Sequence, residues 1–417
     1  MIESLIFLVQ KKSGEIKARH CANGSTQSVW MDKNDATSPT VGTNSLFITA
    51  AIDAKEKRHV KTADVPNAFL RARMEETDKD GARVIMKIKG PLVDILVEMN
   101  PVKYSDYVVM EGKQKVLYVQ ILRALYGMLQ SALLYYKKFC KDIENEGFKI
   151  NDYDPCVANK QINGKQLTLT WHVDNIKMSH QDKAVLNEFI NWLKKTYGGI
   201  GQVKVTEGKK HFHLGMTLDY TNKGSVSIDM KDYVEDMIAN FPEELTGKVT
   251  SVANDKLFIV EKNSPLLSEE KAKEFHTTVA KALFLAKRAR PDIQTVVAFL
   301  CTRVKSPTNA DWSKLHRMML FLKNTKDECL KLTIDNTGIA RWYVDAAYAV
   351  HPDMKSHTGA FLTLGQGAFI SSSNKQINGK QLTLTWHVDD IKMSHQEEAV
   401  LNEFIIWWKK LIEVLDK

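Results

Sequence analysis

Residues Lys165–His180 read KQLTLTWHVDNIKMSH, and this stretch determines how the rest of the chain is interpreted. Apolar residues alternate up to Val173 and resume at Ile176, which predicts a half-buried β-hairpin. Asp and Asn are common in tight turns, so the turn is predicted at Asp174-Asn175. Such a turn holds a carboxylate clear of the sheet in a fixed direction, which suits metal binding. Taken alone, the motif favours an ordinary turn.

The same sequence recurs near the C-terminus. Asn159–Lys195 aligns without a gap with Asn374–Lys410, and five of the 37 positions differ. One difference replaces Asn175 with Asp390, so the second copy reads WHVDDIKMSH. Two distant and nearly identical copies do not make a repeat architecture, which needs several units in series. The pattern indicates a recent segmental duplication or a rearranged gene.

Length and composition favour a soluble intracellular protein of about two or three domains. The chain has 417 residues, a net charge of +8 and a pI near 8.9, a modest bias toward polyanionic partners. Its apolar runs are too short for a membrane span, and the start MIESLIFLVQKK reads as a strand rather than a signal peptide. Five scattered cysteines without CxxC spacing favour free thiols over disulfides or zinc.

Two segments before the hairpin carry candidate site residues. Val60–Val65 reads as a strand that ends at Asp64, just before a proline-asparagine turn. An acid in that position is common in metal sites and equally common as a cap. Lys17 and Arg19 lie on a predicted strand, where basic residues suit either phosphate binding or a solvated edge.

The Tyr126-Gly127 pair stands at the entry of a predicted amphipathic helix that stops at Gly147. A glycine there permits a close approach of the backbone to a ligand, although a plain turn is its commoner role. The predicted apolar face of this helix follows from spacing: Leu129, Leu133, Tyr136 and Phe139.

The second half of the chain is less informative. Glu269–Asn324 is predicted to be helical and mixes basic with aromatic residues, which suits a nucleic-acid backbone or an ordinary solvated face. His211 and His213 share one face of a predicted strand and are interpreted as structural. Strand patterns then return, and Asp345 ends one of these strands.

Four ordered segments resemble the reverse transcriptase of Ty1/copia-type retrotransposons. They are ADVPNAFL at Ala63–Leu70, LRALYGMLQS at Leu122–Ser131, NDYDPCV at Asn151–Val157 and WHVDN at Trp171–Asn175. FHTTVAKALFLAKRARPDIQ resembles the segment that follows the polymerase in these polyproteins, and WYVDAAYAVH resembles the start of their RNase H domain. Four motifs in the right order and spacing are more specific than any one of them.

This resemblance implies an α+β fold with a right-hand polymerase palm and fingers, a helical connection region and an incomplete RNase H-like unit. The implied boundaries are 1–240 for fingers and palm, 241–330 for the connection or thumb-like region, 331–376 for the truncated RNase H-like unit and 377–417 for the duplicated hairpin and helix. The chain is therefore expected to be a piece of a polyprotein or a decayed copy.

The implied activity is RNA-directed DNA polymerisation. The family joins a dNTP to a primer 3′-hydroxyl with two Mg²⁺ or Mn²⁺ ions held by acids from separate strands. By resemblance, Asp64 and Asp174 are the metal ligands and Asn175 completes the catalytic set. The implied partners are an RNA template, a DNA primer and a dNTP, with no membrane. The sequence does not indicate the oligomeric state.

The resemblance also assigns the nucleotide pocket. Phe69 would reject a 2′-hydroxyl, Tyr126 and Gly127 would border the nucleotide, and Lys17 and Arg19 would meet its phosphates. The expected location is intracellular, either cytoplasmic in a virus-like particle or nuclear.

Two departures from the family pattern bear on activity. Asn175 stands where the family has a second Asp, which is expected to lower activity rather than abolish it. Asp345 keeps its RNase H-like context, but the hairpin copy begins where further acids should follow, so no RNase H activity is expected. The alternative interpretation is a catalytically dead nucleic-acid-binding relic of a retrotransposon polyprotein.

Overall fold

A computed structural model of the chain describes residues 1–10, 14, 16–29, 31–32, 36–74, 83–375, 383–387 and 390–394. For Lys17 and the last two segments, the description covers the backbone alone. The described residues form two compact units, the first within Met1–Val41 and Lys61–Thr206 and the second within Gly42–Val60 and Glu207–Lys417. Both units contain helices and strands, so the predicted α+β class is confirmed. The palm, fingers and RNase H-like assignments and the four domain boundaries stay predictions.

The helices and strands are numbered in chain order. The helices are α1 (Thr43–Lys55), α2 (Pro91–Met99), α3 (Pro101–Tyr104), α4 (Ser131–Asn145), α5 (Lys183–Tyr197), α6 (Lys231–Ala239), α7 (Glu269–Ala286), α8 (Gln294–Cys301) and α9 (Asn309–Asn324). The strands to the end of the first unit are β1 (Ile2–Gln10), β2 (Ile16–Ala22), β3 (His59–Asp64), β4 (Ile85–Lys89), β5 (Val108–Glu111), β6 (Gln114–Gln120), β7 (Lys149–Ile150), β8 (Val157–Ile162), β9 (Lys165–His172), β10 (Asn175–His180) and β11 (Lys204–Thr206).

The later strands belong to the second unit. They are β12 (Lys210–His213), β13 (Met216–Asp219), β14 (Val226–Asp229), β15 (Leu330–Ile334), β16 (Arg341–Ala347), β17 (His357–Thr363), β18 (Gly365–Gln366), β19 (Ile370–Lys375), β20 (Thr383–His387) and β21 (Asp390–Ser394).

The first unit contains a five-stranded sheet in the order β2-β1-β4-β6-β5. β1 pairs antiparallel with β2 and parallel with β4. Ile2, Met86 and Leu117 from this sheet pack with Val93 of α2 in one buried cluster. Beyond Leu5 the β1 side chains are largely exposed, so the N-terminal hairpin extends past its own core. The turn predicted at Lys12-Ser13-Gly14 lies mostly outside the described residues.

The second sheet of this unit carries the hairpin and runs β11-β3-β10-β9-β8-β7. α5 begins after Asp182, whose carboxylate accepts a hydrogen bond from the Ala184 N–H at 2.8 Å, an ordinary N-cap. α4 buries Ser131, Tyr135, Phe139 and Ile143, one residue in each turn. Of the predicted face, Phe139 is buried and Leu133 and Tyr136 are partly buried, whereas Leu129 is exposed and precedes the helix, which begins at Ser131.

The second unit is built around one large apolar core. Strands β12-β13-β14-β15-β18 form a five-stranded sheet, and β16-β17-β19 form a three-stranded one. Side chains of α1, α6, α7, α8 and α9 pack with the first of these sheets in a single buried cluster. α9 starts with a capping box, in which Thr308 and Asp311 satisfy each other's backbone N–H groups. In the described part of the chain, no helix is long and apolar enough to cross a membrane.

The duplicated segment repeats the hairpin geometry. β20 and β21 pair antiparallel with His387 opposite Asp390, and β9 and β10 pair with His172 opposite Asn175. Both copies therefore adopt the same register with either Asn or Asp after the turn. The helix predicted from Glu397 to Leu415 lies outside the described residues.

Candidate active site

The hairpin turn lies one residue earlier than the sequence predicts. β9 ends at His172 and β10 begins at Asn175, so the two turn residues are Val173 and Asp174. The predicted turn at Asp174-Asn175 was wrong. A hairpin with its turn there and the observed hairpin place the same side chains on the same face of the sheet. The alternation therefore cannot distinguish them, and tertiary contacts decide: the Asp174 carbonyl accepts a hydrogen bond from the Val65 N–H at 3.0 Å.

Val173 carries backbone strain. Its φ is +56°, in the left-handed region that a β-branched residue rarely adopts. Holding such a residue there costs of order 1–3 kcal/mol and persists only where the surroundings fix the backbone. The turn that presents Asp174 is thus held by its neighbours rather than by local preference.

Asp64 and Asp174 lie at the ends of neighbouring strands. Asp64 is the last residue of β3, Asp174 immediately precedes β10, and these strands are adjacent in the sheet. The hydrogen bond between the Val65 N–H and the Asp174 carbonyl joins the two segments at this edge. Asp64 is exposed and Asp174 is partly exposed. Both acids thus lie where two adjacent strands end or begin, and both are accessible to solvent.

The Asn175 side chain faces its neighbour. Its Nδ2 donates a hydrogen bond to Asp174 Oδ1 at 3.2 Å. An amide donor stabilises the ionised carboxylate, but it adds no negative charge to the site. In this orientation the Asn175 amide donates a hydrogen bond to Asp174, and it does not supply a second anionic ligand to the site.

Tyr126 joins the predicted nucleotide pocket to the carboxylates. Its ring lies 4.6 Å from the Phe69 ring, centroid to centroid, at an interplanar angle of 52°. Burial raises the pKa of the Tyr126 hydroxyl, the Asp174 and Asp64 carboxylates raise it further, and the Arg19 guanidinium lowers it. Three charged residues, Asp64, Asp174 and Arg19, thus act on the Tyr126 hydroxyl, and Phe69 contacts the Tyr126 ring. These are five of the predicted site residues.

Lys17 and Arg19 lie on β2, opposite Val9 and Phe7 of β1. Residues separated by one position share a face of a strand, so the two basic residues are on the same face. Arg19 is exposed, and the side chain of Lys17 lies outside the described part of the structure.

Gly127 has a packing reason as well as a proposed binding role. Its φ is +90°, and a Cβ at this position would lie 2.0 Å from the Ala22 carbonyl oxygen. The Ala22 N–H donates to the Tyr126 carbonyl at 2.8 Å, so β2 ends directly against this loop. Only glycine fits, because both the backbone conformation and the space exclude a side chain.

We expect Gly127→Ala to lower the melting temperature and to raise the KM for nucleotide. The substitution must separate Ala22 from Tyr126, which is predicted to border the nucleotide pocket. Gly112→Ala is the matched control: Gly112 also has positive φ, at +59°, but a Cβ there meets nothing within 4 Å. Differential scanning fluorimetry on both variants separates the collision from backbone strain. Equal destabilisation by both would contradict the packing argument.

Tyr135 is a site neighbour that the sequence pattern does not reveal. It is 1% exposed, and its ring lies 6.5 Å from the Phe69 ring at an interplanar angle of 70°. Burial raises the pKa of its hydroxyl, and the nearby Asp174 carboxylate raises it further. Apolar spacing on α4 does not identify it, because Leu133, Leu134 and Tyr136 surround it on the helix.

The carboxylates of Asp64 and Asp174 suit a divalent ion whose remaining ligands are waters and substrate oxygens. Within the described ranges, no group of three or more His, Cys, Asp or Glu side chains is arranged to hold a metal. Mg²⁺ is usually bound by about one or two carboxylates together with waters and substrate phosphates. Asp64 and Asp174 supply two such carboxylates.

Three residues singled out from the sequence, Asp345, His211 and His213, lie in the second unit. Asp345 is exposed on β16, where its carboxylate accepts from the Ala346 N–H at 2.9 Å. It lines an open groove of about 850 Å³ with Gln294, Thr295 and Tyr343. His211 and His213 are both buried on β12.

The basic and aromatic helical region serves the core more than a nucleic-acid surface. Phe299 and Trp312 are buried, so neither ring is available to stack on a base. Arg290 pairs with Asp292, and Arg303 pairs with Asp311. Arg288 lies 3.6 Å above the Phe284 ring centre, a cation–π contact within α7 and its C-terminal end.

Comparison with known proteins gives a family match over most of the first unit. A family model described as "Reverse transcriptase (RNA-dependent DNA polymerase)" matches residues 7–254. That range contains Asp64, Asp174 and the nucleotide-pocket residues, and it excludes Asp345.

Individual relatives are similar over most of this chain. A protein named for transposon Ty5-1 in Saccharomyces cerevisiae is 24% identical over 76% of this chain and 93% of its own length. The Pol polyprotein from transposon TNT 1-94 of Nicotiana tabacum is 23% identical over 88% of this chain, and that from transposon RE2 of Arabidopsis thaliana is 25% identical over 86%. This chain spans 26% and 23% of those two polyproteins.

Proposed function

Because the chain belongs to the family of reverse transcriptases (RNA-dependent DNA polymerases), and to its Ty1/copia-type retrotransposon members, we propose that it extends a DNA primer on an RNA template. The sequence-based identification of this family is confirmed. The proposal concerns the reaction that this chain itself performs: transfer of a nucleotide from a dNTP to a primer 3′-hydroxyl.

One observation carries the proposal. Two accessible carboxylates, Asp64 and Asp174, end neighbouring strands, and their backbones are joined through the hydrogen bond from the Val65 N–H. Nucleotidyl transfer needs divalent ions between carboxylates from separate strands, so this edge of the sheet offers what the reaction requires.

Each proposed residue has a distinct role. Asp64 and Asp174 would hold Mg²⁺ or Mn²⁺, which when bound supplies activation of the attacking hydroxyl and neutralises the triphosphate. Arg19, with Lys17 on the same strand face, would bind the phosphates. Phe69 would pack against the sugar and exclude a 2′-hydroxyl, and Tyr126 would support Phe69 from the pocket side.

The second candidate is a nucleic-acid-binding relic without catalysis. The observation that favours it is the hydrogen bond from Asn175 Nδ2 to Asp174 Oδ1, which occupies one carboxylate oxygen with an amide. Under this alternative the chain binds a primer–template duplex, and no metal supports extension.

A primer-extension assay tests the proposal. The purified chain is incubated with an RNA template, a labelled DNA primer and dNTPs, in Mg²⁺, in Mn²⁺ and in EDTA. The expected result is extension in either metal and none in EDTA. Duplex binding without extension in both metals supports the relic instead.

RNA cleavage is expected to be absent. Two-metal hydrolysis needs several carboxylates, and Asp345 stands in its motif without them. A labelled RNA–DNA hybrid incubated with the chain in Mg²⁺ or Mn²⁺ should remain intact. Cleavage that disappears in Asp345→Asn would contradict this prediction.

Deletion of residues 377–417 should leave primer extension unchanged. The β20–β21 hairpin pairs only with itself among the described strands, whereas β10 lies beside β3 and its Asp64. Among the described strands, none beside this hairpin carries an acid with which Asp390 could share a metal ion. The measurement is the extension rate of the shortened chain, with its circular dichroism spectrum as the check on folding. A folded but inactive product would assign a function to the second hairpin.

A further inference from the structure

The Phe69 ring contacts two other aromatic rings. Tyr126 lies on the partly exposed side, at 4.6 Å between centroids. Tyr135 lies on the buried side, at 6.5 Å and an interplanar angle of 70°, an edge-on arrangement. The backbone of Phe69 belongs to a short 3₁₀ helix, Ala68–Arg71, which begins after Asn67 at a φ of +52°. Tyr126 and Tyr135 therefore both contact this ring and limit its movement.

Tyr135 is itself fixed by the core. It is 1% exposed, and its ring lies 6.1 Å from Phe139 and 6.4 Å from Tyr197, centroid to centroid. The Arg71 guanidinium at the end of the 3₁₀ helix donates to the Tyr197 carbonyl, so this helix and Tyr135 rest on the same neighbour. A close-packed interior yields little, so a ring placed against Tyr135 has no room to retreat.

The Tyr135 hydroxyl also lies near the charged part of the site. Its oxygen is buried without a hydrogen-bond partner among the described residues. The charged groups that act on it are Asp174 first, then Asp142 and Arg71. The charge of Asp174, one of the two proposed metal ligands, therefore acts on the same side chain that contacts Phe69.

We propose that Tyr135 is a positioning residue that sets how far Phe69 reaches toward the sugar, and so determines how strongly ribonucleotides are rejected. The inference rests on the proposed function. Rejection of one extra hydroxyl by bulk works only where the wall cannot yield, because an adaptable apolar pocket discriminates weakly against such an addition. Tyr135 is fully buried and contacts Phe69, so it makes the wall rigid, and its ring rather than its hydroxyl performs this role.

The test compares three variants: Tyr135→Leu, Tyr135→Phe and Phe139→Leu. Phe139 is the matched control, since it is also fully buried on α4 and touches Tyr135 but has no ring contact with Phe69 among the described residues. Both leucine variants lose an aromatic ring from the same core, so their melting temperatures should fall similarly. The readout is kcat/KM for a dNTP divided by that for the matching ribonucleotide.

Tyr135→Leu should lower this ratio by about tenfold or more, because a small misplacement of a positioning group has effects of this size. Tyr135→Phe should keep the wild-type ratio. Phe139→Leu loosens the support of Tyr135 but removes no ring in contact with Phe69, so it should lower the ratio much less than Tyr135→Leu. An unchanged ratio in Tyr135→Leu overturns the proposal, and so does an equal loss in Phe139→Leu. Loss of the ratio in Tyr135→Phe would move the role to the hydroxyl and overturn the assignment to the ring.

A second readout does not depend on polymerase activity. 4-Fluorophenylalanine at position 69 reports its ring environment through the ¹⁹F chemical shift. Tyr135→Leu should move or broaden this signal, and Phe139→Leu should change it much less. If the wild-type chain extends no primer, the proposed function fails, and the ¹⁹F signal still decides whether Tyr135 positions Phe69. If Tyr135→Leu does not fold, Tyr135→Met takes its place in both measurements, because the unbranched methionine side chain adapts to irregular space in a core.

Discussion

Asp64→Asn is expected to reduce primer extension about a thousandfold. The substitution keeps the shape of the side chain and removes its charge. A carboxylate about 4 Å from a cation contributes about 4 kcal/mol at an effective dielectric near 20, and each 1.36 kcal/mol corresponds to about tenfold in rate. Asp64 is exposed at the end of β3, so the variant should fold normally, with a melting temperature close to that of the wild type.

The control is Asp152→Asn, which removes one negative charge from an exposed position of the same unit. The effect is measured as the extension rate on an RNA template in saturating Mg²⁺. The rate for Asp152→Asn should stay within about twofold of wild type, because salt screens the effect of a distant exposed charge. An Asp64→Asn variant that retains most of its activity would show that the metal ligands lie elsewhere.

The sequence predicts the elements of the site better than their contacts. The strand that ends at Asp64, the hairpin and the helix that follows it all follow from alternation, helical spacing and caps. These signals are local. They also place Asp64 and Asp174 at strand ends, because each acid interrupts an apolar pattern where regular structure stops.

The hairpin turn shows where local signals fail. Two registers that differ by two residues keep Leu167, Leu169 and Trp171 on one face, so the core pattern does not choose between them. Turn preference favours Asp-Asn, yet the chain adopts Val173-Asp174 with Val173 at a φ of +56°. The hydrogen bond from Val65, far away in sequence, overrides the preference.

The roles of Tyr135 and Gly127 could not be predicted from the sequence for a related reason. The segment from Leu133 to Tyr136 is apolar throughout, so periodicity alone does not say which residue points inward. The role of Gly127 depends on the Ala22 carbonyl, which is brought close only by the fold. Contacts between distant segments have no signature in a single sequence, while the motif order still reveals the family.

Asn175→Asp is expected to increase primer extension at least about tenfold, because it adds a carboxylate beside the proposed cations. The change replaces the amide that donates to Asp174 Oδ1 at 3.2 Å with a second acid. The hairpin accepts Asp at this position, since β20 and β21 pair in the same register with Asp390. The metal concentration for half-maximal activity should fall as well.

Stability gives a measurement of Asn175→Asp that is independent of catalysis. Without metal, two adjacent carboxylates repel each other and the hydrogen bond from the amide is lost, so the melting temperature in EDTA should fall below that of the wild type. A cation that binds only the folded chain raises stability by mass action. Mg²⁺ should therefore raise the melting temperature of the variant by more than that of the wild type.

The matched control is Asn163→Asp, the same chemical change in the exposed turn between β8 and β9, at the opposite end of β9 from Asp174. It adds the same charge to the same sheet, so any general effect of net charge appears in both variants. An increase in activity and in the response to Mg²⁺ at position 175 alone assigns the added carboxylate to the ion site. Equal responses at positions 163 and 175 would exclude residue 175 from that site, and the wild-type Asn175 would then act only through its hydrogen bond to Asp174.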